Sequence, residues 1–170
     1  MTQPEIWLLG PLEGYTDILM PVAHSLAQAR RELVALQAKT SQVDFLAKPG
    51  GIGSIGFHVA HISGSLNRLF SYAKGNQLTQ IQIDYLHSEN DIAINTEKDK
   101  LFENALQRID TCLDELRKTP MDQLTQTRDV GRSRLPSTVM GLFFHAAEHT
   151  TMHVGQIRTT LKLVTDSQTP

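Results

Sequence analysis

The stretch His145-Ala146-Ala147-Glu148-His149-Thr150-Thr151-Met152-His153-Val154-Gly155-Gln156-Ile157 spaces three histidines four residues apart. On a helix, residues at i and i+4 are neighbours on one face, about 5–6 Å apart at Cβ, so this stretch stacks three imidazoles in a row. Around the helix His145, His149 and His153 fall beside Leu142, Met152, Gln156 and Ile157, while Glu148, Thr151, Arg158 and Lys162 fall opposite. The second group is the natural solvent face, so the histidine row is expected to point into the protein. Side-by-side imidazoles in a core are costly to desolvate, and a shared cation would offset that cost. Neutral imidazole suits Zn, Ni, Fe or Cu.

Working outward, Pro136-Ser137 introduces this helix, which is predicted over residues 138–164 with a frayed tail over 165–170. A first helix is predicted over residues 15–37, with Ile18, Leu19, Val22, Leu26, Leu33 and Leu36 at helical spacing. Pro21 either marks the start of that helix or kinks it. Ser54 is a natural N-cap for a second helix over residues 55–74, closed by Gly75-Asn76. Thr96-Glu97-Lys98-Asp99 opens a third in the manner of a capping box. Leu101, Ala105, Ile109, Leu113 and Leu116 form its apolar stripe, and Pro120 follows its end. The polar connector before it holds a short amphipathic piece over residues 78–86. At about 20 residues that connector exceeds a simple hairpin and implies one long crossover. Residues 121–135, rich in Arg and Thr, read as a loop, and no segment shows convincing strand alternation. Four long helices in a single domain over residues 1–170, with residues 1–14 as an N-terminal extension, predict an all-α four-helix bundle.

Composition narrows the function. Of 170 residues, 40% are hydrophobic and 20% charged, which excludes disordered and fibrous classes. A net charge of −2 argues against broad phosphate neutralisation, so no nucleic-acid partner is expected. The single Cys112 can form neither an internal disulfide nor a Cys-rich zinc site, which suits a reducing compartment. No apolar run is long enough to span a bilayer, and Met1-Thr2-Gln3-Pro4-Glu5 lacks the basic-then-apolar order of a secretory signal. A soluble cytoplasmic protein without a membrane partner is the expectation.

The second helix carries two more histidines in Ser54-Ile55-Gly56-Phe57-His58-Val59-Ala60-His61-Ile62. Its apolar arc is Ile55, Val59, Ile62, Leu66 and Leu69, with His58 nearer the centre and His61 nearer the edge. Periodicity alone therefore slightly favours His58 as a third ligand. Such a ligand completes a facial set of three imidazoles with positions left open for water or substrate, the pattern of reactive metal sites.

These two segments resemble the DinB-like superfamily of metal-binding four-helix bundles. Residues 54–62 are similar to its S-I-G-x-x-x-x-H-[IL] signature, and residues 145–157 to its H-x-x-x-H-x-x-x-H-x-G-Q-I. Trp7-Leu8-Leu9-Gly10-Pro11 resembles the segment that precedes the first helix in one branch. The resemblance implies a divalent metal (Zn, Ni or Fe) on His61, His149 and His153. His58, His145, Glu148 and Gln156 would then lie around the ligands or in the pocket, able to orient them or carry protons. It further implies a homodimer and a small-molecule substrate. Family members include transferases and isomerases dependent on low-molecular-weight thiols, so a metal-dependent hydrolase or thiol transferase with a thiol cosubstrate is one expectation. A non-catalytic, metal-binding or stress-related dimeric module is the other. The scaffold does not fix the substrate, and no catalytic base emerges from the residues.

Other features carry weaker signals. His145-Ala146-Ala147-Glu148-His149 also spells the H-x-x-E-H string of inverted zinc metalloproteases, in which both histidines bind zinc and the glutamate is the base. Arg128, Arg132 and Arg134 read either as a solvated loop or as a rim that captures an anionic group such as a thiol's carboxylate. Phe144 falls on the solvent side of its helix and suits a dimer contact. Cys112 sits near the stripe of the third helix, as a buried structural thiol would.

Overall fold

A computed structural model describes residues 3–167. Four long helices build the bundle: α1 (Met20–Lys39), α2 (Ile55–Ala73), α5 (Lys98–Lys118) and α6 (Val139–Asp166). The connector between α2 and α5 holds two short helices, α3 (Gln80–His87) and α4 (Glu89–Asn95). Before α6 the chain makes an antiparallel hairpin of β1 (Thr127–Val130) and β2 (Leu135–Thr138), with Thr127 opposite Thr138 and Val130 opposite Leu135.

Each long helix buries an apolar stripe. Leu26 and Leu33 on α1, Ile55, Ile62 and Leu66 on α2, Leu101, Ile109 and Leu116 on α5, and Ile157 on α6 are withdrawn from water. α2 packs on α5 and α6, and so does α1, so sequence neighbours α1 and α2 stand diagonally across the bundle, as do α5 and α6. α2 and α5 run parallel, with Lys74 at the end of α2 paired to Glu115 near the end of α5, so the connector between them returns along the bundle as the expected long crossover, and α3 and α4 both lie against α2.

Pro21 settles at the start of α1, where its missing N–H has no intrahelical partner to lose. Residues 15–19 precede the helix, and Tyr15 reaches α5 instead, its hydroxyl donating to the Leu113 carbonyl at 3.1 Å. Ser54 caps α2 by accepting from the Phe57 N–H, and Thr138 caps α6 by accepting from the Gly141 N–H. The capping box expected at Thr96 is absent: Thr96 closes α4, Glu97 is the residue before α5, and no side chain caps that helix. A full capping box forms instead at Thr79 and Gln82 on α3. α6 continues through Thr165 and Asp166, so that part of the expected fraying is not seen, and residues 168–170 lie outside the described residues.

The hairpin corrects the reading of residues 121–135 as a plain loop. Its strands are four residues long, half-buried or exposed, and β2 contains Pro136, so period-two alternation never develops. The turn between them bends through Gly131 and Arg134, both at positive φ.

Candidate metal centre

α2 and α6 make the most extensive helix pair, and the histidines meet along their seam. His61 Nε2 lies 2.9 Å from His149 Nε2, and His153 Nε2 lies 3.2 Å from the same atom. One ligand atom from each of the three lies within 4.8 Å of the others. Two imidazole nitrogens at opposite edges of a tetrahedral zinc sphere are separated by about 3.3 Å, which follows from Zn–N bonds near 2.0–2.1 Å. The donor set therefore fits a divalent ion by number, type and spacing, and these residues could hold one.

What stands behind each ring fixes its tautomer. His61 presents Nδ1 to Glu89 Oε2 at 2.6 Å. An ionised carboxylate only accepts, so His61 carries its proton on Nδ1 and turns the Nε2 lone pair towards His149. Glu89 gives its other oxygen to Arg68 Nη1 at 2.9 Å, and both residues are buried. Arg68 thus compensates a carboxylate that would otherwise be stranded. Gly64 lets α3 approach α2 here: a Cβ on it would stand 2.6 Å from the Tyr85 ring, whose hydroxyl donates to the Ala60 carbonyl.

A second chain stands behind His153. Its Nδ1 lies 3.0 Å from His58 Nδ1, and His58 hydrogen-bonds to the Gly53 backbone. A carbonyl only accepts, so neutral His58 donates through Nε2 and accepts at Nδ1. His153 must then donate from Nδ1, which leaves its Nε2 lone pair facing His149. A Cβ on Gly53 would be 2.8 Å from His58 Nε2, so glycine is what lets the ring seat there. Phe57 stacks on His61 with ring centroids 5.5 Å apart.

Burial and neighbouring imidazoles disfavour extra protons. His58 is pushed down to about 4, first by desolvation and then by His61. His153 is pushed down to about 3 by desolvation, then by His61, His149 and His58, with Gln156 opposing as a hydrogen-bond partner. His149 is lowered by desolvation and by His61 and His145. Neutral imidazole is the form a metal requires.

Sequence periodicity was right that His58 is the deeper of the two α2 histidines, at 5% exposed. Yet His61 joins the three-nitrogen cluster, while His58 backs His153. The row on α6 does not all point inward. His153 is buried, His149 is half-buried and His145 is exposed, because successive i+4 steps drift around the helix towards solvent. His145 pairs with Glu148 at 2.7 Å in the solvent, its ring 5.2 Å from that of His149. The cluster does not include His145, so the H-x-x-E-H arrangement of two zinc-bound histidines is not formed.

The three arginines are spread along the hairpin. Arg128 donates from Nε to the Ala73 carbonyl at 2.7 Å, fastening β1 to the end of α2. Arg134 pairs with Asp129 across the turn. Arg132 borders a cavity of about 370 Å³ with Tyr72, Ile83 and His87. None of them hydrogen-bonds a site histidine among the described residues. Phe144 is exposed on α6. Cys112 is buried, and burial drives its thiol far above its ordinary range, which leaves it inert.

Glu89, Arg68 and Gly53 are the site residues the sequence reading missed. Glu89 sits in the polar run Ser88-Glu89-Asn90-Asp91, which reads as solvated connector. No short-range signal marks it, since only the packing of α4 on α2 buries it.

A family model described as the DinB superfamily matches residues 25–157, from the first turns of α1 to the end of the histidine row. The chain belongs to the DinB superfamily. No curated protein matches the sequence. As in the expected DinB-superfamily pattern, the three-nitrogen cluster takes one histidine from α2 and an i, i+4 pair from α6. Among the described residues no helix is long and apolar enough to cross a membrane.

Proposed function

We propose that this DinB-superfamily protein is a metal-dependent enzyme, with a divalent ion on the Nε2 atoms of His61, His149 and His153. The observation that supports this is the convergence of three imidazole nitrogens, two with lone pairs fixed by Glu89 and by the His58–Gly53 chain. His61 and His153 thus turn two acceptor nitrogens towards His149 Nε2, which a proton on His149 satisfies in the metal-free protein and a divalent ion would satisfy when bound.

Three ligands leave positions open for a reacting group. A bound divalent ion supplies Lewis acidity there, for a water in hydrolysis or for the thiol of a low-molecular-weight cosubstrate in transfer. The chain's own residues supply the rest. Glu89 and His58 hold the ligand rings, and half-buried Phe57, stacked on His61, and the α2–α6 seam cover one side. The exposed His145–Glu148 pair stands nearest the half-buried His149, where it can take up or release a proton. The metal would be Zn, Ni or Fe.

A second reading is a non-catalytic metal-binding module, stress-related and dimeric through surfaces such as exposed Phe144. One observation favours it: Glu89, the buried carboxylate beside the cluster, is already committed to His61 and Arg68. It is therefore not free to act as a base.

One experiment separates the two. Full-length protein is stripped, reloaded with Zn, Ni or Fe, and assayed with a thiol-plus-electrophile panel and with ester and amide substrates. Turnover that appears on loading and disappears in His149→Ala supports the enzyme. Metal uptake without turnover across both panels supports the module.

A further inference from the structure

On the far side of α2, the helical stripe Asn104, Gln107, Arg108 and Thr111 of α5 lines a cavity of about 290 Å³ with Ser63 of α2 and Tyr85 of α3. The lining contains no carboxylate and a single charge, that of Arg108. Arg108 makes no hydrogen bond or ion pair among the described residues, and its Nε is buried without a partner. A guanidinium offers five donors in a planar fork and accepts nothing, so a half-buried arginine is ordinarily matched by a carboxylate. Here none is supplied by the chain.

The neighbouring groups are arranged to match. The side-chain amides of Asn104 and Gln107 have no hydrogen-bond partner among the described residues. Asn104 lies one turn before Arg108 on the same helix face, and exposed Gln107 precedes Arg108 directly at the rim of the cavity. The two hydroxyls at the back are already engaged, Tyr85 donating to the Ala60 carbonyl and Ser63 hydrogen-bonding to Tyr85. Unmatched donors therefore face the cavity from α5, around one uncompensated positive charge.

We propose that this cavity between α2, α3 and α5 is a binding site for a small oxyanion, the carboxylate or phosphoryl group of a metabolite. Arg108 takes it through a bidentate fork, with Asn104 a turn before it and Gln107 at the rim as further donors. A cation is repelled by Arg108, and a neutral ligand leaves the guanidinium uncompensated. The site uses none of the histidines and holds whether or not the metal centre is catalytic.

The test uses ¹⁵N-labelled full-length protein and follows the arginine Nε–H signals with the backbone amides. Inorganic phosphate and acetate are titrated separately against chloride at matched ionic strength. The expected result is a saturable shift of the Arg108 Nε–H and of the Ser63, Asn104 and Thr111 amides, weakened about tenfold or more in Arg108→Gln. Tighter binding of phosphate assigns a phosphoryl ligand, and tighter binding of acetate assigns a carboxylate. Shifts that fail to saturate, follow chloride equally, persist in Arg108→Gln, or centre on the histidines overturn the proposal. Because the first reading is made on the unaltered protein, a silent Arg108 signal overturns it without any variant.

Discussion

His153 and His58 face each other through their Nδ1 atoms at 3.0 Å, and this contact sets which nitrogen of His153 is free to bind. With His58 anchored to the Gly53 carbonyl, only one arrangement of protons satisfies both rings, and it leaves the His153 Nε2 lone pair in the cluster. Replacing His58 by Phe fills the space but removes the acceptor. Affinity for Zn is expected to fall about 10–100-fold, the usual cost of losing a partner behind a metal-bound histidine. Competition with a chromogenic chelator measures it, and unchanged affinity in a folded variant would remove His58 from the site.

Gly53→Ala should reproduce part of that defect from outside the histidine set. The added methyl meets His58 Nε2 at 2.8 Å and Cε1 at 2.9 Å, so the ring must leave its seat. The imidazole ¹⁵N shifts of His58 and His153 should both move in the metal-free protein. Movement of neither would show that the Gly53 contact does not hold the chain of rings.

Glu89 has two loads, the tautomer of His61 and the charge of Arg68. Glu89→Ala strands a buried guanidinium, which costs about 3–5 kcal/mol, and also weakens metal binding. Glu89→Gln keeps an acceptor for the His61 Nδ1–H and should bind metal better than Glu89→Ala while remaining destabilised. Urea unfolding and metal competition on the same two variants separate the loads. Equal metal affinity in all three proteins would contradict the role given to Glu89.

Much of this protein is legible in its residue order. The i, i+4 spacing of His149 and His153, the Ser54 cap and the apolar stripes of the long helices are local patterns, and the structure uses each of them. What was not legible depends on contacts between distant segments. Nothing near Glu89 says that α4 will lie on α2, and nothing near Gly53 says that an imidazole will need the space of its missing side chain. The hairpin from Thr127 to Thr138 leaves no alternating signal because short, half-exposed strands bury too little apolar surface to create a period. His145 faces solvent although its i+4 spacing suggests the inward row, because at about 100° per residue each i+4 step drifts by about 40° around the helix.

Acid should unfold the metal-free protein through these rings. Burial, reinforced by neighbouring imidazoles, pushes His58 down to about 4 and His153 down to about 3 in the folded protein, from an ordinary value of 6.5. Above pH 6.5 both are neutral in either state and cost nothing. As the pH falls below that, the unfolded chain binds protons that the folded chain refuses. Stability is lost progressively down to about 4 for His58 and about 3 for His153, with a slope of up to about 1.4 kcal/mol per pH unit for each ring. Urea midpoints at pH 7, 6 and 5 should fall in that order, and less steeply in His58→Phe. The same slope in both proteins would contradict the assignment to His58.

The most direct measurement is metal stoichiometry. Stripped full-length protein and its His149→Ala/His153→Ala double variant are titrated with Zn by calorimetry, with circular dichroism confirming that both are folded. The account predicts one tightly bound ion per chain in the unaltered protein and none in the double variant. Equal uptake by the two proteins, or no tight binding by the unaltered one, would contradict it.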